Sequence, residues 1–322
     1  MKFTIYTLLT FLLIATACQS EDGLSEDSTD VACVSDQLID TSRGVCDQTL
    51  SVSPAYTESI SGTTRSINTN NIPNHMVGLF GNMPGHLNPN AITEQAGSYQ
   101  LTTQPQVATQ LTPLLSPTVA GPSAGPQYSF GILLNGVELD PVAAEPFPHE
   151  GIMSPNVNWE WNLEATNVRI GLDCNNAHVQ PSGKYHYHAV PTGYLAGLSI
   201  SSDQMTLVGY AADGFPIYYK YAYTDPGDST SAVVEMTSSY QLKSGDRPGD
   251  GINAPCDTYN GVYSNDYEYV EGLGTLDEAN GRFGLSPEYP NGTYYYLITE
   301  TFPHIPRYFR GTPSQDFKLG AG

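Results

Sequence analysis

Apolar residues in this chain fall in short runs and two-residue alternations, with little of the three-to-four-residue return that marks a helix. "QYSFGILLNGV", "LVGYAADGFPIYYKYAY" and "EYPNGTYYYLITETF" each place an apolar or aromatic stretch beside Asn-Gly or Asp-Gly. Those dipeptides supply the positive backbone angles of tight turns, so each segment reads as a strand with a turn attached. Pro216 follows Asp213-Gly214 closely, which predicts an edge strand or a loop for that arm. The pattern predicts a mainly β (β-rich α+β) protein: a single large domain of short antiparallel strands and long loops. Residues 102 to 126 are rich in Thr, Pro, Ser and Gly and read as a domain boundary or a long surface excursion. No repeat of fixed period argues for a solenoid or propeller.

The amino terminus breaks this pattern. "MKFTIYTLLTFLLIATACQS" has one lysine, an apolar run too short to span a bilayer, and small residues before Cys18, which predicts a secretion signal. "ATAC" resembles a bacterial lipobox with Ala15 in place of the usual leucine, so Cys18 is the expected lipidation site; a plain signal peptide is the alternative. The implied division is a signal peptide over 1–18, an acidic tether and small disulfide loop over 19–50, the main domain over 51–316 and a tail over 317–322. The implied location is exported, membrane-anchored through Cys18, and periplasmic or at the bacterial cell surface.

Composition narrows the partners. With 12 basic against 33 acidic residues the formal net charge is -21, a surface that repels phosphate backbones and disfavours nucleic acid. Gly 31, Pro 24 and Tyr 22 argue against a helical bundle. Tyr218, Tyr219, Tyr221 and Tyr223, and Tyr294, Tyr295 and Tyr296, suit sheet packing; exposed, such rings would also stack on sugars, making a polysaccharide a possible ligand. Setting Cys18 aside, four cysteines remain. Export permits disulfides, and the preferred pairing is Cys33 with Cys46, across a compact local loop, and Cys174 with Cys256. A free Cys174 acting as ligand or nucleophile is the alternative.

The candidate chemistry lies in "GKYHYHAVPTG". In an extended chain His186 and His188 share one face while Tyr185 and Tyr187 take the other. A hairpin turning at Pro181, Ser182 and Gly183 brings His178 to the same place. Three imidazoles without a competing thiolate suit Zn²⁺ or Cu²⁺, and an open fourth position would suit hydrolytic or oxidative chemistry. Asp173, Asn175 and Asn176 are placed to orient a ring, Asp173 also to act as a catalytic partner, and His75 and Asp213 are weaker ligand candidates. Two other readings stay open: a metal-free hydrogen-bond network that holds strands together, and metal-free acid-base catalysis oriented by Asp173 or Asp213. Asp277, Glu278 and Asn280 offer oxygens for Ca²⁺, but without the spacing of an EF-hand loop a solvated turn is the better reading. Asp213 reads first as a turn residue, Arg307 and Arg310 as partners of nearby carboxylates, and His86, His149 and His304 as exposed loop residues. No serine nucleophile motif, phosphate-binding loop or dinucleotide fingerprint appears.

"GLDCNNAHVQPSGKYHYHAVPTG" resembles the extracytoplasmic proteins named for their Tyr-His-Tyr-His motif, the YHYH domain family. Segments such as "NNIPNHMVGLFGNMPGHLNPNAI", "LLNGVELDPVAAEPF", "YNGVYSNDYEYVEGLGTLDEANGRFG" and "PEYPNGTYYYLITETFPHIPRYFRGTP" fit in order, over about residues 65 to 313. The family is defined by its motif rather than by a reaction, so the resemblance leaves open whether the chain is an enzyme, a glycan- or matrix-binding module, or neither. Some members carry cysteines where this chain has Ala279 and Tyr308, which adds weight to pairing Cys174 with Cys256.

Overall fold

A computed structural model describes residues 33, 35–117, 124–151 and 157–319; the expected signal peptide, Cys18 and most of the acidic tether lie outside the described residues. Among the described residues no helix is long and apolar enough to cross a membrane, and the one α-helix is Thr192–Ala196.

The centre of the fold is an eight-stranded sheet. In spatial order its strands are Ala177–Val179, Tyr185–Tyr187, Glu138–Leu139, Gly131–Leu133, Leu207–Ala211, Pro216–Tyr219, Thr293–Ile298 and Gly281–Gly284. Most neighbours are antiparallel, as expected. Two pairs run parallel: Tyr185–Tyr187 with Glu138–Leu139, and Pro216–Tyr219 with Thr293–Ile298. The expectation for Pro216 is therefore corrected. Its strand lies inside the sheet, and the proline is tolerated because it is the first residue of the strand.

Asn135-Gly136 turns the chain between Gly131–Leu133 and Glu138–Leu139, with Leu133 N–H donating to the Val137 carbonyl at 3.0 Å. Asp213-Gly214 does the same between Leu207–Ala211 and Pro216–Tyr219, where Ala211 N–H donates to the Phe215 carbonyl at 2.9 Å. A second, three-stranded antiparallel sheet, Tyr56–Ser61, Thr64–Thr69 and Gly97–Thr102, packs on the first through Ile67, Tyr99 and Leu101.

The tyrosine clusters belong to the core. Tyr218, Tyr219, Tyr294, Tyr295 and Tyr296 are all buried, so they form no exposed platform for sugars; Tyr221 and Tyr223 are half-buried. Phe130 stands edge-on to Tyr296 and stacks on Phe309, tying the sheet to the carboxy-terminal segment.

All four described cysteines are oxidised, but not in the expected pairs. Cys33 bonds Cys256, and Cys46 bonds Cys174, over sequence separations of 223 and 128 residues. Proximity in sequence misleads here because residues 35–48 are laid against the body, with bridges from Ile39 to Val168, Gly44 to Asp173 and Gln48 to Val77. The Cys46–Cys174 bond thus sits one residue from the segment that supports the histidines. Cys174 is not a free thiol. Two disulfides of this kind fit an oxidising, extracytoplasmic compartment.

Candidate metal centre

His178 and His186 face each other directly across the antiparallel pair of Ala177–Val179 and Tyr185–Tyr187, and His188 follows two residues on. The hairpin closes as expected over Pro181, Ser182 and Gly183: Gln180 N–H donates to Lys184 O at 3.0 Å and Gly183 N–H to Gln180 O at 2.8 Å. Gly183 has φ +84°, and a Cβ there would lie 2.0 Å from Thr93 Oγ1, so a glycine is required for two independent reasons.

The alternation sets two environments on opposite faces. On one, Tyr185 OH donates to Asp173 Oδ2 at 2.8 Å, and Tyr187 OH meets Asn135 Nδ2 at 3.0 Å and His75 Nε2 at 2.5 Å. Asp173, fully buried, also accepts from the backbone of Gly78, Asn175 and Ala177. It anchors Tyr185 and the turn before His178, and hydrogen-bonds no imidazole. His75, held by Tyr187 and the Met76 carbonyl, is likewise no part of the histidine site. Asn175 bonds Asp173, Tyr185 OH and the Met76 carbonyl, while Asn176 presents its carbonyl to His188 N–H at 2.8 Å and so fixes backbone, not a ring.

On the other face the three Nε2 atoms come together. His186 Nε2 lies 3.0 Å from His188 Nε2, which lies 3.1 Å from His178 Nε2. Among the described residues this is the one group of three or more His, Cys, Asp or Glu ligand atoms close enough to hold a metal ion. Nitrogens bound tetrahedrally at about 2.0–2.1 Å from one ion would be roughly 3.3 Å apart. The two spacings to His188 Nε2 agree to within a few tenths of an ångström, and all three ligand atoms lie within 4.8 Å of one another.

Proton positions follow from the partners. His178 Nδ1 faces the Ile170 carbonyl at 2.9 Å and His186 Nδ1 faces the Lys184 carbonyl at 3.3 Å. A carbonyl only accepts, so both Nδ1 atoms carry the proton and both Nε2 atoms carry lone pairs. Burial pushes all three histidines below the usual range, and neighbouring ring charge pushes His186 and His188 further, so the rings are neutral near pH 7.

One neutral ring, His188, must then satisfy two converging lone pairs. With its proton on Nε2, a single N–H is split between two acceptors, and the buried Nδ1, turned toward the Pro141 carbonyl outside good hydrogen-bond geometry, accepts from nothing. With its proton on Nδ1, three lone pairs meet. A cation at the meeting point removes the conflict, and the residues present fit one.

Several neighbours were not legible from the motif. Glu138, paired in register with His186 on the parallel strand, is buried and receives Lys184 Nζ at 2.9 and 3.0 Å. Asp140, two residues on, accepts from Gln180 Nε2 at 3.0 Å, while its buried Oδ1 has no partner; burial pushes its carboxyl up to about 7. The only sequence hint is the alternation Glu138-Leu139-Asp140, and a parallel pairing cannot be read from it.

The remaining candidates lie elsewhere. Asp213 accepts from Tyr296 OH, Gly311 N–H and Phe215 N–H, and serves the turn and core rather than the histidine site. Asp277 accepts from Tyr294 OH and two backbone amides, and Asn280 donates to Leu297 O and Thr299, so that loop is a hydrogen-bonded turn in which Asn280 Oδ1 alone of these groups is left without a partner. Arg307 pairs with Glu164, as expected. His86, His149 and His304 are half-buried rather than exposed; His149 Nε2 meets Tyr263 OH at 3.0 Å and His304 Nδ1 meets the Thr299 carbonyl at 3.2 Å.

No curated protein and no solved structure matches the chain. A family model described as "YHYH protein" matches residues 98–311, which holds the sheet, the Tyr-His-Tyr-His strand and His178. The chain belongs to the YHYH protein family.

Proposed function

We propose that this YHYH protein is exported and lipid-anchored at Cys18, and that His178, His186 and His188 hold a transition-metal ion, Zn²⁺ or Cu²⁺. The observation that carries the reading is the meeting of three Nε2 atoms at 3.0 and 3.1 Å, two of whose rings commit their Nδ1 protons to backbone carbonyls. That is the arrangement by which proteins present imidazole lone pairs to a metal.

Oxidation of all four described cysteines removes competing thiolates, and an all-imidazole set suits zinc or copper over magnesium or calcium. Bound by three protein ligands, such an ion keeps a position for water or substrate and supplies Lewis-acid chemistry if zinc, redox chemistry if copper. The chain's own part is to keep the rings neutral by burial, to fix their tautomers through Ile170 and Lys184, and to hold the hairpin through Tyr185, Tyr187 and Asp173. The acidic stretch after Cys18 would span from the anchor to Cys33, where the Cys256 disulfide ties the chain to the body.

Metal content of tag-free full-length protein, measured by mass spectrometry of the elements, tests the reading. About one zinc or copper per chain is expected, and it is lost in His186→Ala/His188→Ala while circular dichroism stays native. A chain that takes up neither metal, or a double variant that retains it, overturns the assignment.

A further inference from the structure

A cleft of about 540 Å³ is walled by Trp159, Tyr240, Tyr267, Phe302, Arg307 and Tyr308, and the three histidines take no part in its lining. We propose that this cleft binds a neutral oligosaccharide, independently of any metal. Its volume falls within the range of small-molecule sites, roughly 300–1,000 Å³.

Its aromatic wall is rigid. Tyr267 and Phe302 lie parallel with centroids 3.9 Å apart, and Tyr240 stands edge-on to Phe302 at 5.5 Å. All three rings are half-buried, so each keeps surface for a ligand while its orientation is fixed by its neighbours. A ligand that stacks there loses little to side-chain ordering.

Charge and hydrogen bonding select the ligand class. Arg307 directs Nη2 to both oxygens of Glu164 and Nη1 to the Pro141 carbonyl, so the one cation in the wall is neutralised within the protein. The chain's net charge of -21 further disfavours an anion. The Trp159 indole N–H, the Tyr308 hydroxyl and the Glu160 carboxylate, all at the cleft, have no hydrogen-bond partner among the described residues. They are respectively a donor, a donor and acceptor, and an acceptor.

A wholly apolar ligand would leave this set unpaired on burial, which is costly. A pyranose presents a C–H face to aromatic rings and a rim of hydroxyls that both donate and accept, which matches rings and polar groups together. A proline-rich peptide would use the rings but offers few donors to Glu160.

The test titrates the full chain with cello-, xylo-, malto- and manno-oligosaccharides and follows tryptophan fluorescence, with calorimetry as a second readout. Saturable binding of at least one series is expected. Tyr308→Phe and Glu160→Gln should each weaken it about tenfold, one hydrogen bond's worth, with melting temperature and metal content unchanged. No saturable binding to any of the four series, binding untouched by both variants, or displacement by a proline-rich peptide that binds more tightly than any sugar overturns the proposal.

Discussion

Tyr185→Phe separates the two halves of the motif. The substitution removes one hydroxyl from a fully buried ring and leaves the ring in place, so no cavity opens. What is lost is a 2.8 Å hydrogen bond to Asp173 Oδ2, together with the 3.2 Å contact from Asn175 Nδ2. Asp173 Oδ2 keeps the Gly78 N–H at 3.0 Å, so the carboxylate is weakened in its solvation and not abandoned. A hydrogen bond to such a group contributes about 1.5–3 kcal/mol, which for a domain of this size lowers the melting temperature by roughly 3 to 5 °C. Calorimetry of wild type and variant measures the shift, and elemental analysis of the same samples measures the metal. A stability loss in that range with metal content unchanged is expected, because the hydroxyl and the imidazoles lie on opposite faces of the strand. A variant that melts like wild type, or that loses its metal, refutes the division of labour between tyrosines and histidines.

Three further outcomes follow from the same structure. Peptide mapping under non-reducing conditions should recover Cys33 joined to Cys256 and Cys46 joined to Cys174; the joint substitution Cys46→Ser/Cys174→Ser should cost about 4–5 kcal/mol in the chain-entropy model, and a variant as stable as wild type would count against it. Burial pushes the Asp213 carboxyl up to about 6 from its ordinary 3.8, so the unfolded chain releases this proton first and wild-type stability falls as pH rises from about 4 to 6. Relative to wild type, Asp213→Asn should therefore gain roughly 3 kcal/mol across that window whatever its offset from lost hydrogen bonds, and denaturant titrations showing a pH-independent difference would exclude the effect. Lys184→Met leaves Glu138 buried opposite an apolar group and should cost about 3 kcal/mol or more, whereas Glu138→Gln/Lys184→Met should recover much of it; a double variant as unstable as the single one would deny the pairing.

What could be read from the sequence follows the range of the interactions involved. The hairpins at Asn135-Gly136, Asp213-Gly214 and Pro181-Ser182-Gly183 were legible because the turn residues and the alternation lie within a few positions of each other. His178, His186 and His188 were brought together correctly for the same reason. Parallel pairing of Tyr185–Tyr187 with Glu138–Leu139 joins segments nearly fifty residues apart and leaves no local mark, so Glu138 and Asp140 went unseen. The cysteine pairs leave no local mark either: nothing near Cys33 or Cys46 records that residues 35–48 are laid along the finished body. Asp173 departs from its expected role because an acidic residue five positions from a histidine looks like its partner, while the turn at Cys174-Asn175-Asn176 aims its carboxylate at Tyr185 on the opposite face. The tyrosine runs allow packing or sugar stacking, and burial on both sides of the central sheet makes Tyr218, Tyr219, Tyr294, Tyr295 and Tyr296 core while Tyr221 and Tyr223 stay half-buried.

The account rests on an ion at the meeting point of three ring nitrogens. A crystal structure of the tag-free protein, with diffraction recorded on both sides of the zinc and copper absorption edges, tests it most directly. An anomalous peak about 2.0–2.1 Å from Nε2 of His178, His186 and His188 is the predicted result. Ordered rings with no anomalous peak between them, in protein exposed to both metals before crystallisation, would contradict it.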